Sequence, residues 1–227
     1  MEVVKLLLGH DGVEVNRADW TGLTPLCSAI LNCRTEVFKL LLVQDGLNVN
    51  PAVYGWTPLN VACQKGSTEV VKLLLAQDGL KVNQANTKGA TPLYVASDHA
   101  HTEVVELLLA QDGVEVNQTD EDGWLPLHIA SWKGHTNVVK LLLAHDGVEV
   151  NQATNDGRTP LNVASNIEVV KLLLAQDGVQ RWPTVLLAKD TVEVNQTMLF
   201  IASQNGRTDV VKSLLAQDGV EVNQATN

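Results

Sequence analysis

Apolar residues along this chain return in one phrase: Leu-Leu-Leu, two residues, Asp-Gly, then a hydrophobic-acidic-hydrophobic stretch ending in Val-Asn. Leu6-Leu7-Leu8 opens it. It recurs from Leu40, Leu73, Leu107, Leu141 and Leu172 at spacings of 31 to 34 residues, and after 41 more as Ser213-Leu214-Leu215. A fixed period of this size predicts stacked supersecondary units in place of a single globular core. Each unit packs on its neighbours, so the array counts as one body.

The unit from Gln84 to Asn117 shows the elements. Thr91-Pro92-Leu93 predicts a helix start, with the Thr91 hydroxyl accepting from a backbone N–H one turn in and Pro92 at the first helical position. Leu93, Val95 and Ala96 give that helix an apolar stripe. The chain turns near Ala100-His101, and a second helix is expected over Thr102 to Gln111. Val104, Val105, Leu107, Leu108 and Leu109 cover most of its circumference, so it must be sandwiched. Gly113 is expected to form its left-handed C-terminal cap. Val114-Glu115-Val116-Asn117 then alternates as a short extended arm.

These residues resemble an ankyrin repeat, in which a hairpin-like finger precedes two antiparallel helices and Thr-Pro-Leu opens the first. Thr-Pro-Leu stands at Thr24, Thr57, Thr91 and Thr159, with Leu125-Pro126-Leu127 in the same phase. The match is fullest at 118–151, with Leu127-His128-Ile129-Ala130 and Gly134-His135. The resemblance implies an all-α, ankyrin-type α-solenoid. Two departures stand out. The Asp of Asp-Gly lengthens the loop after the Leu triplet, and Leu125 replaces a capping threonine. Leu125→Thr is therefore expected to stabilise the array by about 1 kcal/mol.

Residues 1–227 read as a single ankyrin-repeat domain. A half repeat spans 1–16; repeats follow at 17–50, 51–83, 84–117 and 118–151, with a shortened one at 152–178 lacking residues at its inter-helix turn. An irregular joint covers 179–195, and a fingerless last repeat spans 196–223. Neither end carries a polar capping repeat, which suggests a section of a longer array or ends that associate with each other. The Met1–Leu8 segment recurs internally, so it reads as a helix of the fold and not as a leader.

Composition narrows the function. A net charge of −10 argues against nucleic acid and anionic membranes as partners, and no apolar run reaches the ~18 residues of a spanning helix. Cys27, Cys33 and Cys63 are odd in number and lack metal-ligand spacing; they read as reduced thiols of a cytoplasmic or nuclear protein. The histidines lack converging ligands for a metal, and His128 and His135 read as turn-bonding residues. Asp120-Glu121-Asp122-Gly123 lacks the later ligands of a calcium loop. No phosphate loop, serine elbow or Cys-His pair is present. The chain is read as no enzyme, with no cofactor and no metal.

The resemblance implies a partner protein against the finger tips and the exposed side of the first helices, on the concave face. Mapped onto this sequence, the candidate binding residues are Trp20, Tyr54, Trp56, Lys65, Lys88, Trp124, Trp132, Lys133 and Arg158. Tryptophan and tyrosine dominate interface hot spots, and aromatic residues are only 4% of the chain, so their concentration on this face favours a protein-binding scaffold. The competing reading is that each tryptophan packs over the neighbouring finger and merely stiffens it. Two alternatives of function remain: a targeting segment of a larger enzyme or signalling protein, or a structural section of a long array that stacks end to end on copies of itself. The arm asparagines, from Asn16 to Asn223, are expected to bond the hairpin backbone; the context of Asn117 and Asn151 is similar to that of asparagines hydroxylated in ankyrin repeats.

Overall fold

A computed structural model describes residues 1–176 apart from Asp11, Val53 and Tyr54, together with Ser203. The expected joint at 179–195 lies outside the described residues, as does the fingerless last repeat apart from Ser203. Among the described residues the elements are α1 (Glu2–Leu8), α2 (Pro25–Leu31), α3 (Thr35–Leu42), α4 (Pro58–Lys65), α5 (Thr68–Leu75), α6 (Pro92–Asp98), α7 (Thr102–Leu109), α8 (Pro126–Lys133), α9 (Thr136–Leu143), α10 (Pro160–Val163) and α11 (Ile167–Leu174). The chain divides into two compact units, Met1–Glu121 and Asp122–Asn227.

In the first unit, α2, α4 and α6 lie side by side as first helices, and each packs on the second helix that follows it. Their starts follow from Thr-Pro. The hydroxyls of Thr57 and Thr91 accept from Asn60 N–H at 3.2 Å and Tyr94 N–H at 3.1 Å, each satisfying a donor that the helix leaves open. In the second helices one face is dry: Val70, Val71 and Leu74 on α5, and Val104, Val105 and Leu108 on α7. In the triplets of α3, α5 and α7 the middle leucine is the buried one and its flanking leucines are half-buried, whereas Leu6 and Leu7 of α1 are exposed.

The ends of the second helices differ from the sequence reading. α7 stops at Leu109, and its C-cap, Ala110, is right-handed. Gln111 lies beyond the helix and its side-chain amide donates to Leu107 O at 3.1 Å, as Gln77 does to Leu73 O. That bond satisfies a terminal carbonyl, so no left-handed cap is needed. Gly113, at φ +78, serves the loop two residues further on. The arm is a turn and not an extended strand: Gln118 N–H returns to Glu115 O, as Gln84 N–H does to Lys81 O.

The arm asparagines bond a different partner from the one expected. Asn16, Asn50 and Asn83 bridge to the loop of the following repeat: Asn50 donates to Gly79 O at 2.8 Å and accepts from Lys81 N–H at 2.9 Å. Asn83 repeats the pattern on Gly113 and Glu115, and Asn16 on Gly46 and Asn48. Both ends of the carboxamide are used, which ties each loop to the repeat before it.

In the second unit α8 packs on α9 and α10, and α9 packs on α11. Leu125 begins α8 with no side-chain cap, and its side chain is fully buried. The backbone is satisfied another way: His128 Nδ1 accepts from Leu125 N–H at 3.2 Å. This removes the ground for a stabilising Leu125→Thr, because the site is a packed apolar position whose N–H already has a partner. The residues missing from the fifth repeat are absorbed by α10, which ends after Val163, with Ala164 extended at ψ 131°. Asn166 then caps α11 through Val169 N–H at 2.9 Å and donates to Gly134 O at 2.9 Å.

Candidate functional site

The fingers are built by short polar residues. Asp19 N–H bonds Leu23 O, Asn86 N–H bonds Ala90 O and Thr154 N–H bonds Arg158 O, each closing a hairpin. In these three fingers the first residue also holds the turn with its side chain. Asp19 accepts from Thr21 N–H at 2.8 Å and Leu23 N–H at 3.0 Å, and Asn86 from Lys88 N–H at 2.9 Å and Ala90 N–H at 3.1 Å. The bond from the Thr21 hydroxyl, with these amides, holds the Asp19 carboxyl below its ordinary range. The Thr154 hydroxyl and nearby Arg158 do the same for Asp156. Successive fingers are linked within each unit, by Glu121 N–H to Lys88 O in the first and Asn155 N–H to Asp122 O in the second. Their close approach leaves no room for a side chain at Gly89, where a Cβ would stand 2.9 Å from Asp120 Cα.

On the first unit, Trp20 stands 95% exposed at a finger tip. Trp56 is half-buried and lines an apolar cleft with residues of α2, α4 and the first finger. Lys65, on the last turn of α4, and Lys88, on a finger tip, are exposed. Tyr54 lies outside the described residues.

On the second unit the aromatic residues form a cluster. Trp124 meets Trp132 edge to face, with ring centroids 5.8 Å apart, and tilts on His128 at 5.9 Å. Lys133 Nζ lies 5.1 Å over the Trp132 ring. Trp132 is 42% exposed while Trp124 is half-buried beneath it. Arg158 pairs with Asp156 at 2.8 Å. His128, fully buried, spans the repeats: Nδ1 takes the Leu125 N–H and Nε2 donates to Arg158 O at 3.0 Å. Asn60 does the same work in the first unit, donating to Ala90 O at 3.3 Å. His128 therefore holds the finger that carries Arg158.

Of the other reactive side chains, Cys33 is exposed, and several are occupied by structure. His101 Nε2 meets Gln64 O at 3.1 Å, and His99 Nδ1 meets Val95 O at 3.0 Å. Burial pushes the thiols of Cys27 and Cys63 up, away from the reactive thiolate form. Among the described residues no His, Cys, Asp or Glu group converges as a metal site, and no helix is long and apolar enough to cross a membrane.

Paired antiparallel helices, hairpin fingers leading into Thr-Pro caps and a ladder of inter-repeat bonds define an all-helical repeat protein. The sequence profile for ankyrin repeats in three copies matches residues 47–120 and 109–184, and that for a single ankyrin repeat matches 194–224. The chain belongs to the ankyrin repeat family. Ankyrin repeats are generally protein–protein interaction modules and typically non-catalytic. No curated protein matches the chain significantly.

The cleft beside Trp56 and the His128 bridge were not legible as such in the sequence. The signal for the bridge was the shared position of Asn60, His128 and Asn162, three residues after each cap.

Proposed function

We propose that this protein is a non-catalytic scaffold that binds a partner protein on its finger and first-helix face. The observation that carries the reading is Trp132: a large aromatic side chain, exposed across its outer face, buttressed by Trp124 and flanked by Lys133. A rigid aromatic anchor presents contact area at small entropic cost, and such residues dominate interface energetics. Trp56 and Trp20 present aromatic surface in the other unit, with Lys65, Lys88 and Arg158 supplying charge for orientation.

The test is affinity capture from a cell lysate with wild type, Trp132→Ala and Trp56→Ala/Trp124→Ala/Trp132→Ala, each shown folded by its circular dichroism melt. Loss of one or more specific partners by a folded variant supports the reading. Retention of every partner by the folded triple variant refutes it.

A further inference from the structure

We infer that the cleft between the first two fingers seats one branched apolar side chain of an extended, acidic segment of the partner protein. This rests on the scaffold reading above and specifies the chemistry it recognises.

The cleft has a volume of roughly 260 Å³, below the ~300–1,000 Å³ of small-molecule sites, so it suits a side chain better than a metabolite. Cys27 and Val61 are buried at its base, Leu23, Leu31 and Trp56 wall it, and Gln64 stands at its rim. An apolar recess with a single aromatic wall is the form of pocket that takes a hot-spot anchor.

The charge beside it selects the flanking residues. Lys65 follows Gln64 on the last turn of α4. Lys88 tops the finger packed on Trp56's own, where a Cβ on Gly55 would stand 2.3 Å from Thr87 N. Neither lysine has an ion-pair partner among the described residues. Lysines of the second helices do: Lys39 meets Glu69 at 2.7 Å and Lys72 meets Glu103 at 3.1 Å. Of the nearby carboxylates, Asp19 is turned into its own finger, Asp98 lies 3.6 Å from His99, and Asp120 and Glu121 stand on the finger that follows Lys88, whose carbonyl takes the Glu121 N–H. Lys65, next to the rim residue Gln64, and Lys88, on the following finger, are thus cations without an ion pair among the described residues, and carboxylates on the incoming segment complete the pairs. Gln64 offers the backbone of that segment a donor and an acceptor.

The experiment titrates the full chain with an acetylated, amidated peptide carrying one leucine between two pairs of glutamates. Binding is followed by NMR shifts of Gly55, the Trp56 indole and the Gln64 amide. Replacing the leucine with alanine should weaken binding about tenfold, as expected for losing its buried methyl groups. Lys65→Glu/Lys88→Glu, both at exposed positions, should weaken it at least about fivefold and flatten its salt dependence. Lys140→Glu, at an exposed position of α9, should leave the titration unchanged. The inference is overturned if the peptide leaves the cleft resonances unmoved, if a lysine-flanked peptide binds equally well, or if the lysine reversal has no effect. A peptide that shifts only Trp124 and Trp132 overturns this inference while leaving the scaffold reading intact. Capture that survives the tryptophan substitutions overturns the scaffold reading instead.

Discussion

Leu125→Thr sets a missing cap against a filled core. The other capping positions gain a hydroxyl bond to the helix, worth about 1 kcal/mol. Leu125 has no such bond but is fully buried. Threonine removes two carbons from that site, about 1.6 kcal/mol at the usual value per methylene, and leaves a void that adds about 1 kcal/mol where neighbours relax incompletely. The new hydroxyl also competes with Leu125 N–H for His128 Nδ1, now bonded at 3.2 Å. The balance is a loss of ~1.5 kcal/mol, opposite in sign to the gain expected from the cap alone. Urea unfolding followed by tryptophan fluorescence suits the measurement, because Trp124 and Trp132 flank the site. Adding His128→Asn recreates the Thr57–Asn60 pair, whose hydroxyl and carboxamide meet at 2.8 Å. The double variant should therefore be more stable than the sum of the single effects by at least about 0.5 kcal/mol. A Leu125→Thr protein as stable as wild type, with no coupling to His128→Asn, would refute the reasoning.

Three further outcomes follow from the turns and helices. Cys33 and Ala100 hold φ +54 and +59 at inter-helix turns where Gly66 and Gly134 stand in other repeats; Ala100→Gly and Cys33→Gly should each stabilise by about 1 kcal/mol in urea melts, relieving the left-handed penalty of an L-residue. Gly66→Ala should cost more than about 2 kcal/mol and Gly79→Ala only about 1 kcal/mol, because a Cβ at Gly66 meets the His101 ring at 2.4 Å whereas Gly79 has nothing within 4 Å. Equal losses in the melts would contradict that contrast. The Ser97 hydroxyl donates to Leu93 O at 2.7 Å, while that of Ser131 is buried without a partner. Ser97→Ala should cost about 1 kcal/mol, and Ser131→Ala should be neutral or stabilising, on the same melts.

The helices were legible because their signals are local. Thr-Pro fixes a first-helix start through φ and a hydroxyl, and Val-Val-x-Leu-Leu fixes the dry face of a second helix. Helix ends were not, because they turn on which group reaches a carbonyl first. Gln111 does so through its side chain, so Gly113, the residue that looks like the cap, is free to serve a loop. The arm asparagines pose the same problem at longer range. Their residue type announces a backbone bond, but their partner lies 29 to 32 residues on, and only the stacking of repeats brings it near. The Trp124–Trp132 contact was within reach of the sequence, since both positions were assigned to one face of one repeat. The cleft beside Trp56 was not, since its lining comes from two fingers and two helices.

The division between repeated and varied positions has a physical basis in these bonds. The second helix, its Asp-Gly loop and the arm asparagine contact the corresponding segments of the next repeat, and the asparagine does so through backbone groups, so every copy must keep the same loop geometry. Asn50 on Gly79 and Asn83 on Gly113 are the same bond made twice. The finger tip is constrained differently. Its backbone is held by the residue at its base, and Asp19, Asn86 and Thr154 all do that work with different chemistry. The tip residues carry no such obligation, and there the chain places Trp20, Lys88 and Arg158. Variation is cheap at the tips because the hairpin closes from beneath, so the tip side chains can differ from repeat to repeat while the bonds that hold the scaffold stay the same.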